Sequence, residues 1–100
     1  MSATQLKRLD AGRVEVLGAL GFAEVAEVLK NSKEFFNGKE GLIFNLKGVD
    51  KADSSGLSLV VEWMAMAKGS GQTIAFQDIP EQMLEIARLS GLDTVLPIAE

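Results

Sequence analysis

Leu42-Ile43-Phe44-Asn45-Leu46-Lys47-Gly48-Val49-Asp50-Lys51-Ala52-Asp53-Ser54-Ser55-Gly56-Leu57-Ser58 passes from a nearly continuous apolar run, through a polar turn, into a segment of helical period. Leu42 to Leu46 reads as a central strand covered on both sides. Ser55 to Lys68 reads as a helix, and Asp53 or Ser54 as its N-cap. Short oxygen-bearing side chains of this kind accept hydrogen bonds from the free N–H groups of a first helical turn. A buried strand feeding a long helix is the unit from which α/β sheets are built.

The flanking sequence repeats that alternation. Gln5 to Leu9 and Val14 to Leu20 read as a hairpin around Asp10-Ala11-Gly12. Phe22, Val25, Ala26, Leu29 and Phe36 fall on one helical face, with Glu24, Glu27, Lys30 and Glu34 opposite. Asn37-Gly38-Lys39-Glu40-Gly41 ends that helix. Beyond Lys68-Gly69-Ser70-Gly71, Thr73 to Gln77 reads as a short strand. Glu81 to Ser90 reads as a helix, started by Asp78-Ile79-Pro80 and closed by Gly91. Val95-Leu96 adds a last short strand or turn. The order β-β-α-β-α-β-α predicts an α/β fold with a mixed sheet and right-handed crossovers.

One hundred residues allow a single domain over 1–100. Size scaling gives a folded surface of roughly 5,500 Å², so about two thirds of the extended chain's surface is buried. The 47% hydrophobic content is ample for such a core. There is no Cys and no His. Disulfides, thiolate nucleophiles, imidazole bases and the usual zinc ligands are therefore excluded. A net charge of −4 and a pI near 4.8 argue against binding to nucleic acid or anionic lipid. No signal peptide precedes the hairpin, and no apolar run is long enough for direct membrane insertion. These features describe a cytoplasmic acidic domain that binds a partner, with no cofactor and no metal. Asp50 and Asp53 read as caps and solvated charges rather than magnesium ligands. Gly12, Gly18 and Gly21 form no phosphate loop.

Two features invite a functional reading. Ser54 sits at a helix start, where an added phosphate is tolerated and supplies about two negative charges. It has no base to activate it as a nucleophile, and Lys51 carries no sign of desolvation. The helix itself is apolar over an unusually wide arc. Leu57, Val60, Val61, Met64 and Ala67 form the natural core face. Leu59, Trp63 and Met66 form a second arc, which either packs on a neighbouring helix or stands exposed beside Ser54 and Ser55 as a docking patch.

Asn45-Leu46-Lys47-Gly48-Val49 followed by Asp53-Ser54-Ser55-Gly56-Leu57 resembles the STAS domain family, and the resemblance covers most of the chain. Val49 to Leu59, Ala67 to Gly71 and the ending Ala87-Arg88-Leu89 with Val95-Leu96-Pro97 are most similar to the MlaB-type members, stand-alone subunits of phospholipid ABC transporters. The resemblance implies a mixed four- to five-stranded sheet with helices mainly on one face. It implies a non-catalytic, cytoplasmic subunit, peripheral at the inner membrane, with a part in outer-membrane lipid asymmetry. Its partner would be the transporter's ATPase subunit (MlaF-like), in a complex with permease and lipid-binding subunits. The expected contact surface comprises Asp53, Ser54, Ser55, Gly56, Ser58, Leu59, Glu62, Trp63 and Met66. The family's other branch implies an anti-sigma-factor antagonist that binds an anti-sigma kinase and is switched by phosphorylation of Ser54. Gly21 and Asn45 stand where that branch often carries Asp, which counts against the switch more than against docking.

Overall fold

The computed structural model describes residues 4–99. Strands β1 (Thr4–Asp10) and β2 (Arg13–Leu20) form the expected antiparallel hairpin. Its turn needs Gly12, at φ 82°. A Cβ there would also lie only 2.1 Å from the Gly41 carbonyl oxygen, because the hairpin tip docks on the loop that leads into β3. Ile43 N–H donates to the Gly12 carbonyl across that junction, at 2.7 Å. Strand β3 (Leu42–Ala52) then runs parallel to β2, and β4 (Ile74–Gln77) runs parallel to β3, giving the order β1-β2-β3-β4.

Helix α1 (Val25–Ser32) with a short 3-10 turn (Lys33–Phe35), helix α2 (Ser54–Ser70) and helix α3 (Glu81–Leu89) all contribute to one core. Val14, Val16, Leu42, Phe44, Leu46 and Phe76 meet them from one face of the sheet. The Phe44 ring is the hub. It lies 4.6 Å from Trp63 and 6.1 Å from each of Phe35, Phe36 and Phe76, mostly edge-on, the geometry aromatic quadrupoles favour.

Two expectations need correction. β3 is covered on one face only: Ile43 and Asn45 are half-buried, and Lys7, Glu15, Asn45 and Gln77 pair in register as a polar row on the far side. The apolar run looked two-sided because Ile43 breaks the alternation that the structure nonetheless keeps. β3 also extends to Ala52, with two bulges against β2. In the first helix, Ala26 is exposed and Phe22 precedes the helix, 83% exposed. Val28, Ser32 and Phe35 are the buried positions, spaced four and three residues apart on one helical face. At the C-terminus, a turn over 93–95 leads to a single parallel bridge between Ile98 and Phe76. It covers the outer edge of β4 through Phe76 N–H to Pro97 O and Ala99 N–H to Phe76 O.

Candidate functional site: the α2 crest

Only Asp53 separates β3 from α2. Its backbone is extended (φ −126°, ψ −166°), as an N-cap requires, and its Oδ1 accepts the Ser55 N–H at 2.8 Å. Its Oδ2 accepts the Phe22 N–H at 3.2 Å. One carboxylate thus ties the start of α2 to the turn between β2 and α1. The Ser55 N–H bond, opposed by desolvation and aided by the Phe22 N–H, holds the Asp53 carboxyl below its ordinary value of 3.8. Next to it, Glu24 Oε1 accepts the Gly21 N–H at 2.9 Å. A side chain at position 21 would begin 3.1 Å from Glu24 Oε1 and 3.2 Å from Asp53 Oδ2. Glu24 therefore brings a carboxylate to the place where an acid at 21 would stand. Asn45 lies elsewhere, on the far face of the sheet, where its amide donates to Asp78 at 3.0 Å.

Gly56 fixes how low the helix sits. It is buried, and a Cβ there would lie 2.6 Å from the Leu20 carbonyl oxygen. Gly56 contributes close approach to β2 rather than contact surface. With that turn pressed inward, Ser54 and Ser58 face outward, and Ser58 Oγ donates to the Ser54 carbonyl at 3.2 Å. Glu62 is exposed one turn further on, and Ser55 is half-buried.

Ser54, Ser58 and Glu62 form a crest between two shallow grooves. Leu57, Val61, Ile86 and Leu92 line the groove toward α3, of about 320 Å³. Phe22, Val25, Ala26, Leu29 and Leu59 line the groove toward α1, of about 330 Å³. Ser58 and Glu62 border both.

The expected Leu59/Trp63/Met66 docking patch does not exist as a surface. Leu59 is 4% exposed and Trp63 is fully buried. Met66 is half-buried against the core. Trp63 stacks near Phe76 at 6.3 Å, and its Nε1–H donates to Ser32 Oγ of α1 at 2.8 Å. The Ser32 hydroxyl in turn donates to the Leu29 carbonyl at 2.8 Å. α2 lies between α1 and α3, so its buried arc spans more than the sheet-facing side. The exposed apolar anchors are instead Phe22 and Val61. Phe22 was legible in one signal: Gly21-x-x-Glu24 is half a capping box, which places Phe22 in the turn before α1 rather than on its buried face.

The family model described as "Mlab, STAS domain" matches residues 3–97. No protein of curated function matches the sequence. Among solved structures, the anti-sigma factor antagonist SpoIIAA in its unphosphorylated form is 19% identical, with a TM-score of 0.72 over 98% of this chain and 89% of that one. The Bacillus cell fate determinant SpoIIAA in its phosphorylated form is 20% identical, with a TM-score of 0.66 over 98% of this chain and 92% of that one. The murine anion transporter solute carrier 26 family member A9 is 21% identical, with a TM-score of 0.65 over 84% of this chain and 14% of that one. At these identities the likeness to each solved structure is one of fold.

Proposed function

The chain belongs to the MlaB-like STAS domain family, and from that premise we propose that it is a non-catalytic accessory subunit of a phospholipid ABC transporter. STAS domains act as regulatory and interaction modules, and the proposed target is the transporter's ATPase subunit. The whole of residues 1–100 would act as one domain, on the cytoplasmic side and peripheral to the inner membrane through the complex. Among the described residues, no helix is long and apolar enough to cross a membrane.

The observation that carries this reading is the α2 crest, where Ser54, Ser58 and Glu62 stand exposed between two apolar-lined grooves. A subunit docked there shifts the ATPase toward whichever state presents the matching surface. The coupling equals its difference in affinity for the two states, and no chemistry by the small subunit is needed.

The exposure of Ser54 at the first turn of α2 also favours a second reading. In that reading the chain is an anti-sigma-factor antagonist, and a phosphate on Ser54 repels an anti-sigma kinase. The phosphorylated form of SpoIIAA supports it by analogy of fold.

Co-purification of the Ser54→Arg variant with the ATPase subunit, and assay of its ATPase rate, test the first reading. The added bulk should weaken both while leaving the melting temperature within a few degrees, as expected for an exposed position. Unchanged assembly and unchanged rate would overturn the surface. Incubation with the anti-sigma kinase and ATP, followed by intact-mass measurement, tests the second: a phosphate adduct that disappears in Ser54→Ala supports it, and no adduct refutes it.

A further inference from the structure

Phe22 carries an aromatic ring left 83% exposed on a backbone that is held in place. Its backbone N–H donates to Asp53 Oδ2 at 3.2 Å, and the preceding Gly21 N–H donates to Glu24 Oε1 at 2.9 Å. The ring is thereby presented at the mouth of the α1/α2 groove without packing into the core. Fixing an apolar anchor before binding removes the ordering cost from association. Among the described residues, Glu62 is the one charged side chain lining that groove, and the one lining the α2/α3 groove as well, with no cation lining either.

The geometry points to a two-point contact for a cationic, amphipathic segment of the partner protein: an apolar side chain against Phe22 in the α1/α2 groove, and an adjacent Lys or Arg on Glu62. This rests on the docking reading above and names the chemistry of what docks. Charge complementarity selects the occupant. The chain carries a net −4, and Glu24 and Asp53 share with Lys51 the cleft adjoining Phe22, so a surface of anionic lipid is repelled where a basic segment is attracted.

The test measures binding of the full chain to the purified ATPase subunit at several salt concentrations. Truncating a preorganised aromatic anchor, Phe22→Ser, should weaken binding at least tenfold, as for other interface hot spots. Glu62→Lys should weaken it by about tenfold or more through like-charge contact, and Glu62→Gln by only a few-fold. Wild-type binding should weaken with rising salt, and less so in Glu62→Gln. Glu85→Lys, the same charge change at an exposed α3 position outside both grooves, should leave binding unchanged. All three positions are exposed, so the melting temperature of each variant serves as the folding control.

Binding that survives Glu62→Lys, or falls equally in Glu85→Lys, overturns this inference while leaving the docking reading intact. Failure of the wild-type chain to bind the ATPase overturns both. Binding of the wild-type chain to phosphatidylglycerol vesicles that is lost in Phe22→Ser would assign the anchor to a membrane instead, and would also overturn it.

Discussion

Gly56→Ala sets two effects of opposite sign against each other in one methyl group. Gly56 lies in the first turn of α2, and its φ is not in the left-handed region. On helix propensity alone, alanine would stabilise by about 1 kcal/mol. The space says otherwise. The new Cβ would stand 2.6 Å from the Leu20 carbonyl oxygen and 3.2 Å from Leu20 Cβ, and Leu20 is fully buried at the end of β2. A backbone oxygen cannot swing aside as a side chain does, so α2 must lift by several tenths of an ångström or more. Overpacking of this kind costs typically about 1–3 kcal/mol, and a backbone contact belongs at the upper end. The net expectation is destabilisation by about 1–2 kcal/mol, a fall in melting temperature of roughly 4–16 °C for a domain of this size. Gly69, in the last turns of the same helix, supplies the control. Nothing lies within 4 Å of its added Cβ, so Gly69→Ala should show the propensity gain alone, a rise of about 0.5–1 kcal/mol. Urea unfolding at constant m-value reads both variants on one scale. If Gly56→Ala stabilises as much as Gly69→Ala, the close approach of α2 to β2 is not the reason for glycine there.

Trp63→Ala removes a fully buried side chain that meets Phe44, Phe76 and Ser32, and should cost about 3–5 kcal/mol, enough to consume much of a small domain's stability. Near-UV circular dichroism and a melt would show the loss, and a cooperative melt within a few degrees of wild type would contradict the core placement. Asp53→Asn keeps the N-cap bond to Ser55 N–H through its one amide oxygen but loses the acceptor for Phe22 N–H, so it should cost about 0.5–1 kcal/mol at neutral pH. The folded Asp53 carboxyl titrates below its ordinary value of 3.8, so the unfolded chain binds that proton first as pH falls. Its stabilisation is present above 3.8 and fades as pH drops through the folded value. Urea midpoints taken downward from pH 5 should show a shallower acid loss in Asp53→Asn than in wild type, and identical slopes would contradict the shift.

The strands and helices were legible because each is bounded by a residue with one mechanical purpose. Gly12 makes the hairpin turn, Asp53 caps α2, and Gly71, at φ 75°, stops it. The position of α2 between two helices was not legible, since periodicity records how wide a face is buried but not what covers it. Leu59 and Trp63 are the consequence: the same 100° steps that suggested an exposed second arc describe an arc buried against α1. Ser32 carried the missing information. A serine at 0% exposure on the inner face of α1 has to find a partner, and the Trp63 indole N–H is that partner. Neither residue reveals the pairing alone, because it joins positions 31 apart.

The burial of Trp63 moves the functional question rather than closing it. A docking subunit needs an apolar anchor that stays outside the core when the partner is absent. In this chain the large hydrophobics of α2 are mostly committed to folding, and Val61 alone among them stands exposed, at 39%. The anchor we propose instead sits on a turn, at Phe22, whose backbone N–H is held by the same Asp53 carboxylate that caps α2. The backbone at Phe22 and the first turn of α2 at Ser55 therefore depend on one side chain. The carboxylate that caps α2 thus also anchors the backbone carrying the exposed ring, while the Trp63 core is built from other side chains.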